Sequence, residues 1–301
     1  MHSTSCRLAQ LARCTISHTP ARGCQLGTIH SMKPNPADLR VATWNIHKGV
    51  RGLGPRRRLE IHDMVRAVEQ FDADIICLQE VRSVNRKEAG YFTRWPDLPQ
   101  ADYLAPEGYE AVYRSNAFTR DGEHGNALLS RWPVINHQHE DMSDHRFEQR
   151  GLLHSEVLVQ DVPVHVIVVH LGLIAASRTR QLAQLAKFIE REIPKAATLI
   201  VAGDFNSPVA PVSWARVAMK SVATTSTTTT SATTTSAAAK STTSVKLAEV
   251  ARHPTFPSRL PLVQLDHIFA RHAKPVASHV PRGAVWARMS DHLPLLVDFA
   301  L

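Results

Sequence analysis

The apolar positions of the chain fall into two rhythms. Short, nearly continuous runs recur at 39–46 (LRVATWNI), 73–81 (ADIICLQEV), 126–135 (NALLSRWPVI), 152–159 (LLHSEVLV), 164–171 (VHVIVVHL), 197–205 (ATLIVAGDF), 264–270 (QLDHIFA) and 293–301 (LPLLVDFAL). Several lack the alternation of a strand with one wet face, so they predict strands covered on both sides. Between them, apolar residues are spaced by three and four. Ile61, Met64, Val65, Val68 and Phe71 mark a helix within 59–71, and Leu182, Leu185, Ala186, Ile189 and Ile193 mark another within 178–193. Strands alternating with helices predict an α/β domain with sheet at its centre.

Two stretches break the pattern. Segment 221–244 (SVATTSTTTTSATTTSAAAKSTTS) is nearly free of large apolar residues. It cannot bury enough surface to offset its ordering entropy, and it predicts a flexible insertion within the domain. Residues 1–38 precede the first run, and the first 31 of them contain no acid and no continuous apolar core. They are read as a disordered leader or a misassigned start with Met32 as the first residue, which leaves 39–301 as the domain.

Composition narrows the class. No run approaches the roughly 18 apolar residues of a membrane span, so no transmembrane segment is expected. Of the four cysteines, Cys6, Cys14 and Cys24 precede the domain and only Cys77 lies inside it. That set builds neither a disulfide framework nor a paired C-x-x-C zinc site, and it points to a reducing, cytoplasmic compartment. A monomer is expected. The net charge is +8, of which residues 1–38 carry +3, leaving +5 for the domain. That is a mild bias toward an anionic partner.

The chemistry sits where the strands stop. The runs end in Asn45, Glu80, His170, and Asp204 with Asn206, while QLDHI supplies Asp266 and SDHLPL supplies Asp291 and His292. In a layered α/β domain, loops at one end of the strands converge on the ligand. Singly, an aspartate or asparagine after a strand is a turn former; together these residues form a complete set. Carboxylates, amides and histidines without cysteine suit Mg²⁺ or Mn²⁺ rather than zinc. Glu80 and Asp291 are the first choices of metal ligand. Asn206 and His170 can donate to a phosphate, Asp266 can fix the tautomer of His292, and Asp204 can orient or deprotonate water. The set suits metal-assisted phosphoryl hydrolysis.

The ordered series TWNIHKG, LQEV, HGNALLSRWPV, VVHLG, GDFN, LDHIF and SDHLPL resembles the endonuclease/exonuclease/phosphatase superfamily over roughly 39–301, and is most like its small bacterial members. The resemblance implies a four-layer α/β/β/α sandwich with divalent-metal phosphoesterase activity. It implies that Asn45, Glu80 and Asp291 belong to the metal site, and that His170 and Asn206 contact phosphate. It further implies that Asp204 activates water, while Asp266 orients His292. In that group the histidine is described either as base or as stabiliser of the phosphoryl charge, and both roles stay open here. Bacterial relatives commonly follow GDFN with Asp-Trp, whereas here Ser207-Pro208 follows.

Other motifs are weaker. HQHEDMSDH (137–145) approaches a zinc-hydrolase run through His137, His139 and Asp141 but has Met142 at its last position. A solvated polar loop is expected instead. KGVRGLGPRRR (48–58) lacks phosphate-loop spacing; it reads as a flexible basic loop, offering Lys48, Arg51 and Arg56–Arg58 to a polyanion. Arg150 is a candidate phosphate contact or a surface ion pair. No G-x-S-x-G elbow is present. The expected function is divalent-metal hydrolysis of phosphoester or phosphodiester bonds, nuclease-like, with a phosphodiester substrate that includes nucleic acid. The alternatives are a phosphoesterase acting on phospholipid, by peripheral lipid contact, or on inositol phosphate, and a catalytically weak phosphate-binding module. Such a module would be marked by loss of Glu80, Asp204 or His292, and all three are present.

Overall fold

Gly203 fixes how tightly two strands of the core approach. Its φ is +152°, and a Cβ there would lie 1.9 Å from the Val169 carbonyl oxygen, so only glycine fits immediately before Asp204. The computed structural model describes residues 38–52, 54–208, 248–249 and 253–301. The expected leader, up to residue 37, and the insertion at 221–244 lie outside the described residues.

The elements run β1 (Asp38–Asn45), β2 (Val50–Arg51), β3 (Arg58–Leu59), α1 (Ile61–Phe71), β4 (Ile75–Val81), α2 (Arg86–Tyr91), α3 (Gln100–Leu104), β5 (Glu110–Thr119), β6 (Gly122–Ser130) and β7 (Val134–Asp141). They continue with β8 (Gly151–Val159), β9 (Val162–His170), α4 (Ala175–Glu192), β10 (Thr198–Asp204), β11 (Ala248–Glu249), β12 (Asp266–Arg271), β13 (Lys274–His279), α5 (Trp286–Met289) and β14 (Leu295–Ala300). One six-stranded sheet has the order β13-β14-β1-β4-β6-β5 and the other β11-β12-β10-β9-β8-β7. β1 pairs in parallel with β4, and β9 with β10. Helices α1 and α4 make these two crossovers, as parallel pairing requires.

Strand alternation sorts the side chains into layers. Trp44 packs edge-on against Phe71 of α1 at 5.8 Å and against Trp286 of α5 at 6.3 Å, so its face of the first sheet is the helix-covered one. Val41, Cys77 and Leu128, on the opposite face, join Leu153, Val168, Ile200 and Ala202 of the second sheet in one buried cluster. A second cluster holds Val201, Leu199, Phe205 and Phe269 against Leu185 and Phe188 of α4. The result is helix, sheet, sheet, helix: the α/β/β/α sandwich. Both predicted helices are present, and the strands are buried on both faces because each sheet has a sheet on one side and a helix on the other.

Three expectations change, and two strands are new. The run 126–135 is two strands, since β6 stops at Ser130 and Pro133 precedes β7; the Ser130 hydroxyl donates to Trp132 O at 2.7 Å and closes the turn. The polar tract from 137 to 141 is the end of β7 rather than a loop. Within 48–58, described apart from residue 53, β2 and β3 pair antiparallel, with Val50 opposite Leu59 and Arg51 opposite Arg58. Strands β5 and β13 lie at sheet edges, where mixed polar and apolar residues carry no continuous apolar run.

Candidate active site

The C-terminal ends of β1, β4, β9 and β10 meet the N-terminal ends of β12 and β14. Register fixes part of this: Asp204 lies opposite both His170 and Asp266, and Asn45 lies opposite Gln79, the residue before Glu80. Asn45 Nδ2 donates to Asp204 Oδ2 at 3.0 Å, joining the two sheets at this end.

Asp204 is fully enclosed. Its Oδ1 accepts the Asn206 N–H at 2.8 Å, while its Oδ2 lies 3.6 Å from His170 Nε2 and 3.7 Å from His292 Nε2. Burial pushes this carboxyl up, against the pull of the two histidines. His292 is anchored from behind: Asp266 Oδ2 lies 2.8 Å from its Nδ1 and also accepts the Thr255 hydroxyl at 2.6 Å. Burial opposes charge on His292, but Asp266 and Asp204 outweigh it and raise the imidazole to about 10. His170 behaves oppositely, because burial and then Arg150 lower it to about 4. The two histidines on this carboxylate thus differ in setting: burial and Arg150 disfavour charge on His170, while Asp266 and Asp204 favour it on His292.

Asn206 departs from the extended chain that a simple strand end implies. Its φ is +48°, and its Nδ2 donates to Leu171 O at 2.8 Å, so part of the amide serves the loop after β9. Phe205 turns the other way, packing edge-on against Phe269 at 5.2 Å. Glu80 also has a positive φ, of 58°, as do His47 and Lys48 at 45° and 62°. Backbone held in sparsely populated conformations is common around functional sites.

Glu80 and Asp291 each face a basic group from that turn. Lys48 Nζ lies 2.5 Å from Glu80 Oε2, and His47 Nδ1 lies 3.2 Å from Asp291 Oδ1. Burial pushes Glu80 up, but Lys48 and His170 outweigh it and hold the carboxyl below the ordinary range. The same contest, decided by His47, lowers Asp291, which also feels the charge of Glu80. Asn45 Oδ1 accepts the His47 N–H at 3.0 Å. Among the described residues, the ligand atoms that converge most tightly are instead those of Asp204, Asp266 and His292, within 4.8 Å of one another.

The donor chemistry fits a divalent cation. Two hard carboxylates repel each other across the cleft and are balanced by a lysine and a histidine, and Asp266 keeps a buried oxygen, Oδ1, with no partner among the described residues. Arg150 forms a part-buried ion pair with Glu148. Its Nε holds Leu171 O at 3.1 Å and its Nη2 holds Glu148 at 3.1 Å, bracing the loop beneath His170. His137 and His139, on the edge of the second sheet, bond Arg114 and Asn116 of β5 in the first, and among the described residues no metal-ligand group includes them. Arg57 is pinned by Glu88 and stacks over Tyr91.

Sequence reasoning missed four contributors. His47, Thr255 and Phe256, whose ring lies 5.0 Å from that of His292, had no strand-end signal. His124, at the start of HGNALLS, is lowered to about 4 by burial and by Lys48, and also senses Glu80 and Arg150.

The model of the endonuclease/exonuclease/phosphatase family matches residues 42–292. The chain belongs to this family. Its members are phosphoesterases and nuclease-like hydrolases, typically dependent on a divalent metal. An uncharacterised protein, YbhP of Escherichia coli K12, is 34% identical over 266 residues, covering 87% of this chain and 96% of that protein. An endonuclease/exonuclease/phosphatase from Beutenbergia cavernae shares the fold with a TM-score of 0.61 and 20% identity, over 88% of this chain and 72% of that one. D. rerio TDP2, complexed with a single-strand DNA product, superposes with a TM-score of 0.55 and 18% identity, over 88% of this chain and all (100%) of that one. No helix among the described residues is long and apolar enough to cross a membrane.

Proposed function

We propose that this family member is a Mg²⁺- or Mn²⁺-dependent phosphodiesterase acting on nucleic acid. The observation that carries the reading is Asp204 enclosed between His170 and His292, whose Nε2 atoms lie 3.6 and 3.7 Å from its Oδ2, at the junction of the sheets. Asp204, oriented by the Asn45 amide and the Asn206 N–H, accepts the proton of an attacking water, a role that burial favours by raising its basicity. The His292 cation donates Nε2–H to the charge that develops on the phosphoryl oxygens, and Asp266 with Thr255 holds the ring. His170 and the second N–H of the Asn206 amide orient the phosphate. Glu80 and Asp291, with Asn45 beside them, would hold the metal, which supplies neutralisation of phosphate charge when bound.

A second reading, a phosphoesterase for phospholipid head groups, is favoured by one observation. Leu173 and Ile174, just after His170, are 69% and 53% exposed, and Phe147, beside the Glu148 that accepts the Leu173 N–H, is 82% exposed. One screen separates the readings: bis(p-nitrophenyl) phosphate, single-stranded and abasic DNA, RNA, phosphoinositides and sphingomyelin, each with Mg²⁺ or Mn²⁺ and with EDTA. Metal-dependent turnover of nucleic acid is expected. Turnover of lipids alone supports the second reading, and no metal-dependent turnover of any substrate overturns both.

A further inference from the structure

Beside the segment that carries Asp291 and His292 lies a cavity of about 530 Å³, lined by Ser258, Arg259, Arg282, Arg288 and Leu293 among others. Ser258 ties it to the site, because its N–H donates to Asp291 O at 2.7 Å and its hydroxyl to Ser290 O at 2.6 Å. Arg51 reaches the same wall from β2, and its Nη1 donates to the carbonyl of Ala287, which also lines the cavity. Arg51 is lowered by burial and then by the charge of Arg259, and it also senses Asp291. Glu60, pushed up by burial, is the carboxylate that faces Arg288, Arg51 and Arg58.

Arg259, Arg282 and Arg288 are exposed, and none of them forms an ion pair with another described residue. Like charges gathered around a concavity repel one another unless an anion enters, and guanidinium forks match phosphate oxygens. The basic set does not end at the cavity. Arg51 reaches Ala287 on the cavity wall and pairs in register with Arg58, so positive charge continues from the cavity onto the β2–β3 pair. A repeated charge suits a strand, in which phosphate repeats with each nucleotide, better than a single anion.

We propose that this cavity is a subsite for a non-scissile phosphate of a nucleic-acid strand whose scissile phosphate lies at Asp204 and His292. This rests on the nuclease reading above for the scissile end, and it gives that reading a way to select long substrates over small ones. The arginines act by binding; they take no part in bond breaking.

The test is binding of a fluorescein-labelled ten-nucleotide oligothymidylate to the full chain in EDTA, read by fluorescence anisotropy across a salt series. In the double variant Arg282→Gln, Arg288→Gln, affinity should fall about tenfold and the slope of log affinity against log salt should become shallower by about 1.4, the loss of two phosphate contacts. In the presence of metal, KM for the oligonucleotide should rise in step while kcat changes by less than about twofold. Its effect on bis(p-nitrophenyl) phosphate, which has one phosphate, should be about tenfold smaller. An unchanged affinity and slope in the variant would overturn the subsite, as would a wild type that does not bind the oligonucleotide. Arginine-dependent binding of inositol hexakisphosphate without oligonucleotide binding would overturn it in favour of a small polyphosphate. Arginine-dependent binding with no cleavage of any substrate would leave the subsite standing and remove the hydrolase reading. Cleavage of bis(p-nitrophenyl) phosphate without oligonucleotide binding would do the reverse.

Discussion

Asp266 Oδ2 lies 2.8 Å from His292 Nδ1, and the same oxygen takes the Thr255 hydroxyl at 2.6 Å. The pair crosses from one sheet to the other and sets the protonation of the ring. Removing the charge of Asp266 should lower His292 toward or below its ordinary value, because burial then acts with less opposition. Asp266→Asn should therefore reduce kcat by on the order of 10²-fold with a small change in KM. The ring titration, followed by NMR, should shift to lower pH. A normal kcat in this variant would show that the charge on His292 is dispensable.

Asp204→Asn tests the water-activating role. The amide keeps the size of the side chain but loses the proton acceptor, so kcat should fall by about 10²-fold or more. Circular dichroism should remain that of the wild type. Turnover close to normal would remove Asp204 from that role.

Lys48 and a divalent cation compete for the same carboxylate, since Lys48 Nζ already lies against Glu80 Oε2. Lys48→Met and Glu80→Gln should thus move metal affinity in opposite directions. Titration with Mn²⁺, followed by electron paramagnetic resonance, should give tighter binding in the first variant and weaker binding in the second. EDTA should abolish turnover in both. Equal affinities across wild type and both variants would place the metal elsewhere.

His154 and His165 stack beneath α4, with His154 Nε2 3.0 Å from His165 Nδ1. Burial, and then the neighbouring ring, lower His154 to about 4. In the unfolded chain it titrates near 6.5, so between these values the unfolded state binds the extra proton and stability falls as pH falls. This residue should cost about 2 kcal/mol between pH 7 and pH 5, measured by urea unfolding. In His154→Gln the loss over that range should shrink by about the same amount. An identical pH dependence would assign the acid sensitivity to other groups.

Phe205 is fully buried between β12 and α4, against Phe269. Phe205→Ala should destabilise the fold by about 3–5 kcal/mol. Because Asp204 and Asn206 flank it, kcat should fall as well, even at temperatures where the variant is folded. An unfolding midpoint like that of the wild type would contradict this.

The continuous apolar runs carried the central strands, because burial on two faces leaves no room for polar alternation. Edge strands β5 and β13 were illegible for the converse reason: residues such as Tyr113, Arg114 and Asn116 meet solvent on one side and signal no single face. At the site, Asn45, Glu80, His170, Asp204 and Asp266 were readable as polar residues ending apolar runs, with Asp291 and His292 opening the last one. His47, Lys48 and Thr255 act through backbone bends and a loop whose course no periodicity encodes. Asn206 was legible as a site residue, but its left-handed backbone and its bond to Leu171 were not.

The bond from Asn45 to Asp204 and the pairing of Asp266 with His292 both bridge the seam between the sheets. Neither half of the molecule owns the reaction. The spacing of the reacting groups is inherited from the thickness of the packed layer behind them, where Ile200 and Ala202 stand against the opposite sheet. Such an arrangement divides the labour of evolutionary change. Loops at the mouth are free to be rewritten for new substrates, while any change of volume in the interior is read out at the mouth as a change of rate.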